Sequence, residues 1–156
     1  MKLFKSLRTN QKGFTLIELL VVIGILAVLL AITLIAINPA RQFSQANNTK
    51  RKSDVNSILN AVNQYMADNK GSIPAGITTT VQDISDTGAN ICAVLVPTYI
   101  AALPSDPQAA NKGASIGTCA VAYDTDYAIV QATGSSRVTV SAPNHIELQE
   151  SVSVTR

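Results

Sequence analysis

The side chains of this sequence that could do chemistry are few and widely spaced. Glu18 stands alone inside an apolar stretch, four positions after Phe14. A carboxylate in such a place costs about 2.5–3.5 kcal/mol at mid-bilayer and less near an interface, so it calls for solvent at headgroup level or for a cationic partner. A cut between Gly13 and Phe14 would create that cation, a new α-amino group close to Glu18 in the same chain or in a neighbour shifted along the axis. His145 is the single histidine, and Asn144-His145-Ile146 reads as the entry to a terminal strand, which gives no case for a Ser/His or Cys/His nucleophile. The chain has no P-loop, G-x-S-x-G turn or H-E-x-x-H helix. The expectation is a protein that is not an enzyme and uses no cofactor.

Cys92 and Cys119 belong to no C-x-x-C or Cys/His cluster, so a zinc site is not indicated. Two readings stay open, a disulfide between them or two buried free thiols. The disulfide would contribute roughly 3.5 kcal/mol in the chain-entropy model. Asp106, Asp124 and Asp126 are too few for a hard cation, which takes six to eight oxygens, and the last two read as turn formers. No metal is expected.

These groups sit on unequal halves. The chain has 156 residues, 47% of them apolar and only 14% charged, against a usual charged share of about 25%. Disorder is excluded, and the length suits one domain with a modest core. From Leu19 to Ala40 no charge occurs, while Lys2, Lys5, Arg8 and Lys12 make residues 1–13 a basic leader. Without them the chain is net acidic, so its basic pI says nothing about nucleic acid. The apolar run from Phe14 to Ile37 spans about 36 Å as a helix, enough to cross a membrane, and no small-x-small cleavage site follows it.

Beyond it, Val55, Ile58, Leu59, Val62, Tyr65 and Met66 recur at helical spacing among polar residues, and Asn69-Lys70-Gly71 with Pro74 marks the stop. If the halves are continuous, one helix runs from about residue 14 to 70. Gly24 and Pro39 interrupt it, as a kink or as points that loosen. Lys50-Arg51-Lys52 is read as a solvated helix face or an intersubunit ion pair in preference to a lipid or nucleic-acid contact. Residues 73–90 look like a connecting loop. Strands are expected at 91–96, 119–123, 127–132, 137–141 and 146–154, the last broken midway, with turns at Asp124-Thr125-Asp126 and Thr133-Gly134-Ser135.

Gly13-Phe14-Thr15-Leu16-Ile17-Glu18 and the apolar residues to Leu29 closely resemble the class III signal of bacterial type IV pilins and type II secretion pseudopilins. The resemblance covers about residues 8–35. It implies cleavage after Gly13 by a membrane prepilin peptidase, methylation of the amino terminus at Phe14, and subunit docking through Glu18. It also implies a type IV pilin-like α+β fold, a long N-terminal helix on a small antiparallel sheet. The implied organisation is a leader at 1–13, a transmembrane or fibre-core half-helix at 14–37, an amphipathic half at 38–71 and an extracytoplasmic domain at 72–156. The implied function is a pilin that polymerises with itself through the pilus assembly machinery. The alternatives are a pseudopilin of a secretion or competence system and an anchored binding domain that does not polymerise. The precursor would sit in the inner membrane with its domain outside, and later in an extracellular pilus or a periplasm-spanning filament. Leu103-Pro104-Ser105-Asp106-Pro107 is similar to a proline-flanked turn of pseudopilins.

Overall fold

The computed structural model describes residues 13–156 and divides at Pro39 into two units. The expected leader lies almost wholly outside the described residues. In the first unit, α1 (Leu16–Ile37) is one uninterrupted helix of 22 residues with no buried residue. Gly24 does not break it, and a Cβ placed there would meet nothing within 4 Å. At Asn38 the backbone turns left-handed, with φ 46°, and this ends α1. Pro39 then opens α2, at a first helical position where its missing N–H removes no helical bond. The continuous helix considered above is therefore two helices, and the break falls one residue before the proline, where helical geometry is disfavoured.

The second unit begins with α2 (Pro39–Asp68), whose Val55, Ile58, Leu59, Ala61 and Val62 are buried. The helix stops as its sequence indicates. Lys70 and Gly71 take left-handed φ values of 55° and 83°, and the Gly71 N–H reaches the Met66 carbonyl at 2.7 Å. The buried face of α2 shares one core with Ile84, Tyr127, Ile129, Val138, Val140 and Val152 of an antiparallel sheet. That sheet contains β1 (Gln82–Ser85), β2 (Asp124–Gln131), β3 (Val138–Ala142) and β4 (Val152–Thr155), in the order β1-β2-β3-β4. Strict alternation along β3 buries Val138, Val140 and Ala142 and turns Thr139 and Ser141 outward. Tyr65 packs edge-to-face on Tyr99, with ring centroids 5.6 Å apart.

Several expected strands are corrected. Residues 91–96 form a short helix, α3 (Cys92–Leu95), with the Val96 N–H bonded to the Cys92 carbonyl. A brief apolar run cannot distinguish the two by period, and here one face carrying Cys92 and Leu95 is buried. No strand forms at 119–123. Tyr123 there turns its hydroxyl toward the Cys92 N–H, 3.3 Å away. The loop expected at 73–90 contains β1, which buries Ile84. Asp124-Thr125-Asp126 opens β2 instead of preceding it. An Asx turn from the Asp126 N–H to Asp124 Oδ1 (2.9 Å) and an Asp126 φ of 57° make a local irregularity within the strand. Of residues 146–154 only the end is strand, because Leu148 and Gln149 are both left-handed and the chain there follows side-chain partners on α2.

Cys92 and Cys119 are joined in a disulfide across 27 positions, with Cα atoms 5.5 Å apart. Replacing both with alanine should lower stability by about 3.5 kcal/mol if loop entropy dominates. Urea unfolding of the detergent-solubilised chain, oxidised against reduced, measures it. Equal midpoints would show that the link contributes nothing.

Candidate functional site

The N-terminal site is built by the start of α1. Gly13, Phe14 and Thr15 are outside the helix and exposed, Phe14 by 85%. Thr15 is the N-cap, extended at φ −81° and ψ 150°. Its backbone N–H and its hydroxyl both donate to Glu18 Oε2, at 2.8 and 2.7 Å, while the Glu18 N–H donates to Thr15 Oγ1 at 3.3 Å. This is a reciprocal capping box, which satisfies helix-end donors and places the carboxylate at the positive end of the helix. The role of Thr15 was missed in the sequence reading, although its signal, Thr-x-x-Glu ahead of an apolar run, is plain. Gly13 and Phe14 thus immediately precede the capped turn that holds Glu18. Beyond them the surface of α1 is apolar at residues such as Leu19, Ile23, Leu26 and Leu30, each more than half exposed, and its one hydroxyl, on Thr33, is donated to the Leu30 carbonyl at 2.9 Å. A helix apolar all round has to be covered by lipid or by other helices. It is long and apolar enough to cross a membrane.

The second polar cluster lies in the other unit. Arg51, in the basic run read as solvated or intersubunit, is fully buried, and its partners are in its own chain. Nε and Nη2 hold the two Asp106 oxygens at 2.6 and 3.1 Å, Nη1 donates to Asn48 Oδ1 and Glu147 Oε2, both at 2.9 Å, and Nη2 also donates to Gln108 Oε1 at 2.8 Å. Guanidinium has five N–H groups, and all five are used. Burial opposes its charge, but bonds and attraction from Asp106 and then Glu147 more than offset this and raise its pKa above the ordinary value. With no donor left, the cluster can clamp the turn around Asp106 and the loop at Glu147, and it cannot take a ligand. Lys50 and Lys52 on either side pair with Asp54 and Glu150, each at 3.0 Å.

Beneath the clamp, the buried Tyr127 donates its hydroxyl to Asp54 Oδ2 at 2.9 Å. Burial, and next the bond to Asp54, push this phenol far above its ordinary range. A folded-state pKa above the unfolded value near 10 means that above about pH 10 the unfolded chain releases a proton that the native chain keeps. Stability should therefore fall as pH rises beyond about 10, by at most about 1.4 kcal/mol per pH unit from this group. Tyr127→Phe should flatten that decline while losing about 1 kcal/mol at neutral pH. Urea midpoints from pH 8 to 11 test this, and parallel curves for the two chains would refute it.

Asp106 is thus a structural anion, and Asp124 and Asp126 form a turn. Among the described residues no group of three or more His, Cys, Asp or Glu converges in a way that could hold a metal. His145 Nε2 lies 3.7 Å from Asp126 Oδ2.

What this arrangement defines is an α+β domain preceded by an apolar helix whose charged residue, Glu18, is capped at its amino-terminal end. Residues 8–34 match the family model described as the prokaryotic N-terminal methylation motif. The chain thus carries the class III signal of type IV pilins and pseudopilins, and this supports a membrane-anchored precursor of that kind. No curated protein and no solved structure matches it.

Proposed function

We propose that the chain is the precursor of a structural subunit, a pilin that polymerises into a type IV pilus or a related filament. The observation that carries this reading is the capped Thr15–Glu18 pair at the head of a helix with no buried residue, inside the matched motif. In this reading prepilin peptidase cuts between Gly13 and Phe14, where the backbone is non-helical and exposed, and the Phe14 amine is then methylated. Glu18 exchanges Thr15 for the new amino group of an adjacent subunit, which neutralises it and sets axial register. α1 of each copy covers α1 of its neighbours, and the second unit coats the surface, outside the membrane. Gly24 and the Asn38-Pro39 break are the places where α1 can loosen or bend in the fibre.

Asp106, the acidic residue of the proline-flanked turn, is paired with Arg51 and so serves the fold of the second unit. The test is the intact mass and amino-terminal sequence of protein sheared from cells that make it. A chain beginning at methylated Phe14 in a high-molecular-weight fraction is the expected result. Full-length protein confined to membranes would overturn the proposal.

A further inference from the structure

A groove of about 530 Å³ runs along the first half of α2, wholly within the second unit. Arg41, Gln45, Thr49 and Lys52 form one wall, at spacings of three and four that put them on a single helical face, and Leu148 and Glu150 form the other. Glu147 is pinned in the Arg51 clamp, and the left-handed Leu148 and Gln149 (φ 56° and 59°) then turn the chain so that Leu148 stays 44% exposed and Glu150 reaches Lys52 at 3.0 Å. Of the basic run at 50–52, Lys52 lines the groove, while Arg51 belongs to the clamp and Lys50 is held by Asp54 and the Ser105 carbonyl. Lys52 and Glu150 are both more than half exposed. An ion pair so well solvated holds weakly, and another anion can take the place of Glu150. Among the described residues the exposed side-chain amide of Gln45 has no hydrogen-bond partner. The groove thus carries two cations against one anion, with an open amide between the cations and an apolar rim at Leu148.

We infer that this groove binds the headgroup of an acidic phospholipid, and the inference rests on the reading of α1 as the membrane anchor. The occupant follows from the covalent chain. α1 ends at Ile37 and Arg41 is four residues on, which holds its Cα within about 14 Å of the end of that helix whatever the backbone does between. The headgroup layer is about 5–8 Å thick, and the flexible stem of an arginine spans the difference. The phosphodiester sits at the Arg41 end, and the polar head extends past Gln45 toward Lys52, whose Cα lies about 16 Å further along α2. A free phosphate could touch only one end of a groove this long.

The test uses the full chain in vesicles of phosphatidylglycerol and phosphatidylcholine in equal parts. Vesicles are floated on a density gradient, and the chain is then moved into detergent, where native mass spectrometry counts the lipids that stay bound. Phosphatidylglycerol should be retained in preference to phosphatidylcholine. Arg41→Gln and Lys52→Gln should each lower that retention roughly fivefold, and Glu150→Gln, which removes the competing carboxylate, should raise it. Arg137→Gln, which removes an exposed cation outside the groove, should change nothing. Equal retention of the two lipids, an equal loss from Arg137→Gln, a fall with Glu150→Gln, or full displacement of the lipid by inorganic phosphate would overturn the inference. Chains that do not float with the vesicles would overturn the anchoring by α1 and the inference with it, whereas floated chains without a lipid preference overturn the inference alone.

Discussion

Glu18→Ala should insert into the membrane at normal levels and yield no fibres. The substitution removes the single charge from α1, so insertion becomes easier by up to about 2.5–3.5 kcal/mol, depending on how deeply position 18 sits. The hydrogen bonds of Glu18 are to Thr15, within the start of the same helix. What disappears is the anion that would neutralise an adjacent Phe14 amine. Burying that amine unpaired among apolar helices is strongly unfavourable, since breaking a buried pair costs about 3–5 kcal/mol, and this penalty would recur at each subunit added. Apolar surface alone gives α1 no preferred axial position, so register is lost along with affinity. The measurement is a shearing assay beside membrane fractionation, with Thr15→Ala as a comparison that removes the cap and keeps the carboxylate. Thr15→Ala should cost only about 1 kcal/mol at the helix start. Normal fibres from Glu18→Ala would end the docking account.

The second large effect belongs to the clamp. Asp106→Ala should destabilise the second unit by about 3–5 kcal/mol, because it leaves the fully buried Arg51 facing Glu147 alone. That is a large part of the 5–15 kcal/mol typical of a folded domain. Glu147→Gln, at a position 17% exposed, should cost less, about 1.5–3 kcal/mol. Replacing Arg51 and Asp106 together by methionine and leucine should restore much of the loss, since an apolar pair carries no desolvation penalty. Urea unfolding in detergent, followed by tyrosine near-ultraviolet dichroism, reads all of these. A fall below about 1 kcal/mol for Asp106→Ala would mean that water reaches the guanidinium and that the burial described above is wrong.

What could be read from the sequence was what repeats locally. The stripe from Val55 to Val62 and the alternation along β3 follow periods of 3.6 and 2, and the Gly71 stop needs only its adjacent residues. Thr15 was equally readable, since a capping box needs only four consecutive residues. Arg51 was not. Its partners lie at 106, 108 and 147, and nothing local distinguishes it from Lys50 or Lys52, which do stay at the surface. The same nonlocal pull explains why residues 146–150 leave the extended path that their composition suggests, with Glu147 held by Asn47, Asn48, Arg51 and Gln108. β1 was hidden because its inward residue, Ile84, is isolated among polar neighbours and pairs with a strand some forty positions later.

The clamp also has a place in time. A ribosome makes Asn48 and Arg51 first, Asp106 much later and Glu147 later still. Until residue 147 has been synthesised, the guanidinium lacks one of its two counter-charges, and the face of α2 on which it lies cannot be sealed from water at low cost. A chain that has reached Glu147 can complete the clamp over this end of α2, and a shorter one cannot. Arg51 so couples closure of this end of α2 to the arrival of the segment that carries Glu147.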